Sequence, residues 1–160
     1  MKPITGTVSI TNQPDTMRPA LPHTYFGVAQ SMMPGVRVLA TASPPPVLAL
    51  DLVAAHVLEC LLKAYLSRSG SDVGFRDRNI RHNLKTLWEM AFAQGLRVPQ
   101  SAPRWVDCLS GLHKNPYYLR YSTGVHGIVS PSVEPMTSEL TALLEVVREQ
   151  LNAERAGASG

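Results

Sequence analysis

The chain has 160 residues, is 44% hydrophobic and carries a formal net charge of +3, which is typical of one globular domain with a buried core. It contains no run of 18 apolar residues without charges, and no apolar stretch follows the N-terminus. We therefore expect neither a membrane span nor a secretory leader. The two cysteines, Cys60 and Cys108, lie far apart and favour buried thiols in a reducing cytoplasm over a disulfide.

Charge is distributed unevenly along the chain. Residues 63–104 carry eight basic and three acidic side chains, whereas residues 130–160 carry five glutamates and two arginines. A basic segment of this kind can bind phosphate groups. It can equally form a solvated surface that the acidic C-terminal segment partly neutralises. The sequence leaves both interpretations open.

Helical periodicity begins after an irregular N-terminal arm, residues 1–22, which is rich in Pro, Thr and Asn. The first helix is predicted from Thr24 onward, with a kink or interruption at Pro34. The proline run at 43–46 ends it and starts the next helix. That second helix is predicted over about 47–66 and has a wide apolar face.

Two shorter helices follow a polar loop. The third is predicted over about 80–94, with Gly95 ending it. Its core face is expected to carry Leu84, Leu87, Trp88, Ala91 and Phe92. The fourth is predicted to start near Pro103, with Ser101 as its cap.

A long loop separates the fourth helix from the last one. Residues 115–135 are rich in Pro, Gly and Tyr and read as this loop, and a helix is predicted over about 137–153. Residues 154–160 are expected to form a frayed tail. The sequence therefore predicts an all-α bundle of about five helices, spanning residues 23–153.

Two helices carry a narrow polar stripe. On the second helix the stripe, at spacings i, i+3 and i+7, consists of His56, Glu59 and Lys63. The third helix repeats this spacing with His82, Lys85 and Glu89. The stripe either holds the two helices together, by pairing Glu59 with His82 or with the Arg76–Arg81 loop, or it lines a ligand pocket.

Other polar residues add binding candidates. Tyrosine and arginine side chains of the 117–121 segment can stack on bases and clamp phosphates, or they can staple the loop onto the bundle. His113 is expected to act as a cation at the C-terminus of the fourth helix. The His, Cys, Asp and Glu residues show no zinc spacing, so neither a metal nor another cofactor is predicted.

Three segments together resemble the HEPN (higher eukaryotes and prokaryotes nucleotide-binding) domains. The pattern Ala55-x-x-x-Glu59-Cys60-x-Leu62-Lys63 resembles their second helix, and His82-Asn83-Leu84 resembles their H-[DN]-L segment. The run Pro116–Tyr121 resembles the Tyr-Arg-Tyr stretch of one bacterial branch. The resemblance spans about residues 24–150 and implies an up-and-down helical bundle that is often dimeric.

The resemblance implies three classes of function. The first is a non-catalytic or regulatory module that binds a nucleotide or RNA. Its binding residues would be Arg76, Arg78, Arg81, His82, Lys85, Tyr117, Arg120 and Tyr121. The second is a metal-independent endoribonuclease of toxin or phage-defence type, and the third is a protein-interaction adaptor.

The expected partners follow from the same resemblance. They are RNA or a nucleotide, a second copy of the chain, and an antitoxin or nucleotidyltransferase, but not a membrane. The apolar surplus of the second helix and the Met32–Met33 pair, which looks exposed, also favour a homodimer.

The RNase members of this family use an arginine and a histidine separated by four to six residues. Such a pair can move the proton of a 2′-hydroxyl and stabilise the charged phosphate. Two matches are candidates here, Arg76–His82 and Arg120–His126; a third, Arg18–His23, lies in the arm. A polar residue follows Arg76, as the motif favours, whereas residues 122–124 should break the helix that would carry the Arg120 pair.

Overall fold

The computed structural model describes residues 20–121 and 127–157. Within these ranges the chain forms five α-helices and no strands. The helices are α1 (His23–Thr41), α2 (Val47–Leu66), α3 (Leu84–Ala93), α4 (Arg104–His113) and α5 (Val133–Gly157), with a short 3₁₀ helix at Val73–Phe75. The predicted all-α bundle of about five helices is therefore confirmed. None of the described helices has the length and apolarity needed to cross a membrane.

The central element of the bundle is α2, which packs against all four other helices. From Ala54 to Leu66 every residue except His56 is buried. A helix that is apolar almost all round is one that its neighbours enclose. The apolar surplus of α2 is thus used within one chain, and Met33 is also buried, at 2% exposure. Both sequence arguments for a dimer are therefore wrong, and the homodimer rests on the resemblance alone.

The structure corrects the start or course of three helices. α1 runs through Pro34 without interruption; Pro34 is exposed, and so is Gln30, whose carbonyl loses its helical donor there and can face water. α3 begins four residues later than predicted because the Asn83 side chain caps it, accepting a hydrogen bond from the backbone N–H of Thr86. At α4 the capping position is Pro103, so the prediction of Ser101 as cap is wrong.

α5 is longer at both ends than predicted. It begins at Val133, and its last turn, which was expected to fray, continues to Gly157. Glu154 in that turn accepts a hydrogen bond from Arg68 at 2.7 Å, which ties it to the end of α2. The remaining tail residues 158–160 and arm residues 1–19 lie outside the described part of the chain.

One residue of the predicted α3 core face lies at the surface. Phe92 is 36% exposed, whereas the other four members of that face are buried. Those four follow the spacing i, i+3, i+4 and i+7 from Leu84, which keeps them on one side of the helix. Phe92 falls one position beyond the last of them and turns away from α2.

The burial pattern of α2 yields a stability prediction. Replacing Leu58, which is 0% exposed, by Ala should lower the free energy of unfolding by about 2–5 kcal/mol, because it removes core contacts and leaves a cavity. The same change at Leu48, which is 54% exposed on the same helix, should alter it by no more than about 0.5 kcal/mol. Urea unfolding measures both variants. Equal losses would show that α2 is not enclosed as described.

Candidate functional site

A buried carboxylate, Glu59 of α2, lies at the centre of a polar cluster. Its Oε1 accepts a hydrogen bond from Lys63 Nζ at 2.6 Å. Its Oε2 lies 3.0 Å from His82 Nδ1 and 2.5 Å from His113 Nε2. We call these four residues the Glu59 cluster. Glu59, Lys63 and His113 are buried, and His82 is half-buried.

Three separate helices position the cluster. The i,i+4 spacing within α2 places Lys63 beside Glu59. His82 directly precedes Asn83, the cap of α3, and His113 is the last residue of α4. A hydroxyl of α4 fixes the start of α3, since Ser110 Oγ donates to Asn83 Oδ1 at 3.0 Å and accepts from the Lys85 backbone N–H at 3.1 Å. The two imidazoles are thereby brought to the same carboxylate.

The surroundings of Glu59 keep its carboxyl group ionised. Burial acts to raise the pKa of Glu59, but the hydrogen bonds from His113, Lys63 and His82 and the positive charge of Lys63 outweigh it, and the pKa lies far below its ordinary value of 4.5. An ionised carboxylate can only accept hydrogen bonds. The contacting nitrogens of both histidines must therefore carry the hydrogen, an assignment that follows from the bonding pattern.

An open cleft with a cavity volume of about 760 Å³ lies over His82. The side chains that line it include Asp77, Arg78, His82, Asn83, Lys114 and Tyr117. The Tyr117 ring lies edge-on to the His82 ring, with 5.7 Å between their centroids. Tyr117 has a φ of 64°, which is unfavourable for a residue with a side chain, and strained residues of this kind cluster at functional sites.

Two more of the predicted binding residues extend the aromatic wall of the cleft. The Arg120 guanidinium lies 5.9 Å from the centroid of the Tyr117 ring, and the Tyr121 ring lies 6.3 Å from it. Both side chains are exposed. The segment is therefore not simply stapled onto the bundle, because only Leu119 within it is fully buried.

Other predicted site residues lie elsewhere. Arg76 pairs with Asp72 at 2.6 Å and does not line the cleft, so the structure does not bring Arg76 and His82 together there. Lys85 pairs with Asp107 of α4 at 3.1 Å. Arg81 is exposed and also lies outside the cleft lining. His126, the partner of Arg120 in the second predicted pair, lies outside the described residues.

The polar stripe of α2 divides between two environments. Glu59 and Lys63 belong to the cluster, and of the alternatives for Glu59 the structure shows the pairing with His82 rather than with the Arg76–Arg81 loop. His56 is half-buried, with its Nε2 3.8 Å from Cys60 Sγ. Burial lowers the pKa of His56 and raises the pKa of the Cys60 thiol to about 11, so this thiol is a poor nucleophile.

The sequence analysis missed His113 and Lys114 as site residues. His113 ends α4, as predicted, but it is 1% exposed and its Nε2 contacts the buried carboxylate of Glu59. The sequence did contain a pattern that indicates burial of His113. It follows Val106 and Ser110 at spacings i, i+4 and i+7, which places it on the buried face of α4. No sequence pattern indicated that Lys114, the next residue, belongs to the site.

Glu59, His82 and His113 could also hold a metal ion, since one ligand atom from each lies within 4.8 Å of the others. Sequence spacing could not show this set because its members come from α2, from the turn before α3 and from the end of α4. Two features favour a hydrogen-bonded network instead. Lys63 places a positive charge 2.6 Å from the carboxylate. The buried Nδ1 of His113 has no hydrogen-bond partner among the described residues, whereas a metal-bound imidazole usually donates its second N–H.

In comparisons with known proteins, no family model matches the chain, and no curated protein or solved structure matches it either. Function is therefore inferred from the geometry of the cleft and of the Glu59 cluster beneath it.

The cluster predicts a pH-dependent loss of stability in Glu59→Gln. The change leaves Lys63 buried without its counter-charge, so the free energy of unfolding at pH 7 should fall by about 3–5 kcal/mol. Because the folded pKa of Glu59 is lowered, its ionised form stabilises the fold above pH 4.5, and this contribution is lost as pH falls below that value. The difference between wild type and variant should thus shrink between pH 5 and about pH 3.

Urea unfolding across this pH range measures the difference. The control is Glu149→Gln, which removes one partner of the exposed Arg97–Glu149 pair and should cost no more than about 1 kcal/mol. A Glu59→Gln variant as stable as this control would contradict the buried ion pair.

Proposed function

We propose that the chain binds single-stranded RNA or a nucleotide in the cleft above the Glu59 cluster. One observation carries the proposal: two cations, Arg78 and Lys114, and the aromatic ring of Tyr117 line one cavity with His82 at its floor. Guanidinium and ammonium groups bind phosphate oxygens. A tyrosine ring offers a stacking surface to any base.

The distribution of ion pairs supports an anion-binding site in the cleft. Arg68 and Arg97 pair with glutamates of α5, and Arg76 pairs with Asp72. Across residues 20–121 and 127–157, Arg78 and Lys114 form no ion pair. The acidic C-terminal segment therefore neutralises part of the basic middle of the chain but leaves the cations of the cleft available to a ligand.

Among the described residues that line the cleft, the one acidic side chain already accepts a hydrogen bond within its own turn. Asp77 Oδ1 accepts a hydrogen bond from the backbone N–H of Asn79 at 2.7 Å, as in an Asx turn. The cavity of about 760 Å³ is within the size range of small-ligand sites. Arg120 and Tyr121 continue the aromatic and cationic surface beyond Tyr117, which suits a strand longer than one nucleotide.

Binding of single-stranded RNA tests this function. Arg78→Ala and Lys114→Ala should each weaken binding roughly tenfold and reduce the slope of log affinity against log salt by about 0.7, because each removes one phosphate contact. Arg97→Ala, the same charge change at an arginine already paired with Glu149, is the matched control and should bind like wild type. Fluorescence anisotropy with a labelled oligonucleotide measures all four proteins. Wild type without affinity for RNA or nucleotides would refute the proposal.

A second candidate function is a metal-independent endoribonuclease, and the contact between Glu59 and His82 favours it. A carboxylate that holds one nitrogen of an imidazole, with the ring lining a cationic cleft, is an arrangement used for general-base catalysis. In this site Arg78 and Lys114 would stabilise the charged phosphate in place of Arg76. The pair Arg120–His126 stays an alternative proposal.

Incubation with RNA in EDTA separates binding from catalysis. His82→Ala should abolish cleavage if the cleft is catalytic, whereas Arg120→Ala/His126→Ala should abolish it if the other pair acts. EDTA excludes contaminating nucleases that need a metal. Circular dichroism must show that each variant is still folded at the assay temperature. Intact RNA after incubation with folded wild type would refute catalysis on that RNA and leave binding alone.

A further inference from the structure

We propose that His82 makes the cleft selective for ligands that carry a hydroxyl group beside the phosphate, and hence for ribose over deoxyribose, because the Glu59 cluster holds its imidazole as a hydrogen-bond acceptor. This inference rests on the proposed function, since Arg78 and Lys114 must hold the phosphate for the selection to act. His82 would be the specificity-determining residue. Glu59, Lys63 and His113 would be positioning residues.

The contact with Glu59 fixes the position of the hydrogen on the His82 imidazole. His82 Nδ1 lies 3.0 Å from Glu59 Oε2, and this carboxylate is ionised, so Nδ1 carries a hydrogen and donates it. In the neutral ring the other nitrogen, Nε2, then has a free lone pair. Nδ1 is turned to the buried carboxylate, and Nε2 has no hydrogen-bond partner within the described part of the chain. Nε2 is therefore the nitrogen that a ligand in the cleft meets.

The carboxylate that orients the His82 ring is itself held in place. Lys63 holds Oε1 at 2.6 Å, and His113 shares Oε2 with His82. The Lys63 ammonium also lies near the rings of Tyr25 and Phe75, 5.9 Å and 5.8 Å from their centroids. Since Lys63 already balances the charge of Glu59, the His82 ring need not be charged to keep its bond.

The hydrogen-bonding groups of the cleft complement both the phosphate and the hydroxyl of a ribose ligand. Arg78 and Lys114 can only donate hydrogen bonds, which suits phosphate oxygens but not a hydroxyl hydrogen. Both are exposed, whereas His82 is half-buried, so its ring is less accessible to water than the two cations. A ribose hydroxyl can donate to Nε2 of this ring. A deoxyribose leaves the partly desolvated nitrogen unpaired, which costs affinity.

The experiment compares oligouridine with oligodeoxyuridine of equal length, which differ only in the 2′-hydroxyl groups. Binding is measured in EDTA, and a gel verifies that the RNA stays intact. Wild type should bind the ribose form roughly tenfold more tightly. His82→Phe keeps a ring but removes the acceptor, so the two affinities should become equal. His82→Gln, whose amide oxygen is an acceptor, should restore part of the preference.

A second measurement, made without any ligand, tests whether the positioning residues fix the hydrogen of the His82 ring. Nitrogen-15 NMR of the histidine rings distinguishes a hydrogen on Nδ1 from one on Nε2. The wild type should show His82 in the Nδ1–H form. In Glu59→Gln the amide can donate to the ring as well as accept from it, so His82 should become a mixture of both forms, and the ribose preference should fall with it.

The possible failures are distinguishable. Equal affinity of wild type for the two oligomers, or a His82 ring in the Nε2–H form, would overturn this inference while the proposed function stands. Absence of binding to both would overturn the proposed function and this inference with it. Stoichiometric zinc binding that shifts the signals of His82 and His113 together would show a metal site instead, and would also overturn it.

Discussion

The buried carboxylate of Glu59 is the constraint on which the rest of the structure depends. A charge at 5% exposure is tolerated only if partners replace the water it loses. Lys63 supplies the counter-charge and His82 and His113 supply two further hydrogen bonds. These partners come from α2, from the residue before the cap of α3, and from the end of α4, so the ends of these helices must meet at one point.

This meeting point also makes the cleft. Because His82 and His113 bind the carboxylate, the loop before α3 and the segment after α4 lie side by side above it, and the cavity forms between them. Their cations, Arg78 and Lys114, form no ion pair within the described ranges, whereas Arg68 and Arg97 pair with two glutamates of α5. The burial of one charge and the lining of the cleft thus depend on the same histidine, His82.

The resemblance to HEPN domains and the geometry draw on the same residues. Glu59 and Lys63 come from the first matching segment, His82 from the second and Tyr117 from the third. The structure gathers all four at one end of the bundle. Membership of that family stays a prediction, because no family model matches the chain. The motif-based Arg76–His82 pair illustrates the difference between spacing and geometry, since Arg76 pairs with Asp72 instead.

The sequence by itself determined the helical class, the extent of α2 and the polar stripe that contains Glu59 and Lys63, because periodicity and i,i+4 contacts are local properties of a helix. It could not determine that His113 reaches a carboxylate 54 positions earlier in the chain, or that Arg78 rather than Arg76 lines the cleft. Those choices depend on which helices pack together and on where α3 and α4 end. Only the tertiary structure decided them, since the contacts that satisfy a buried charge are made between helices that are distant in sequence.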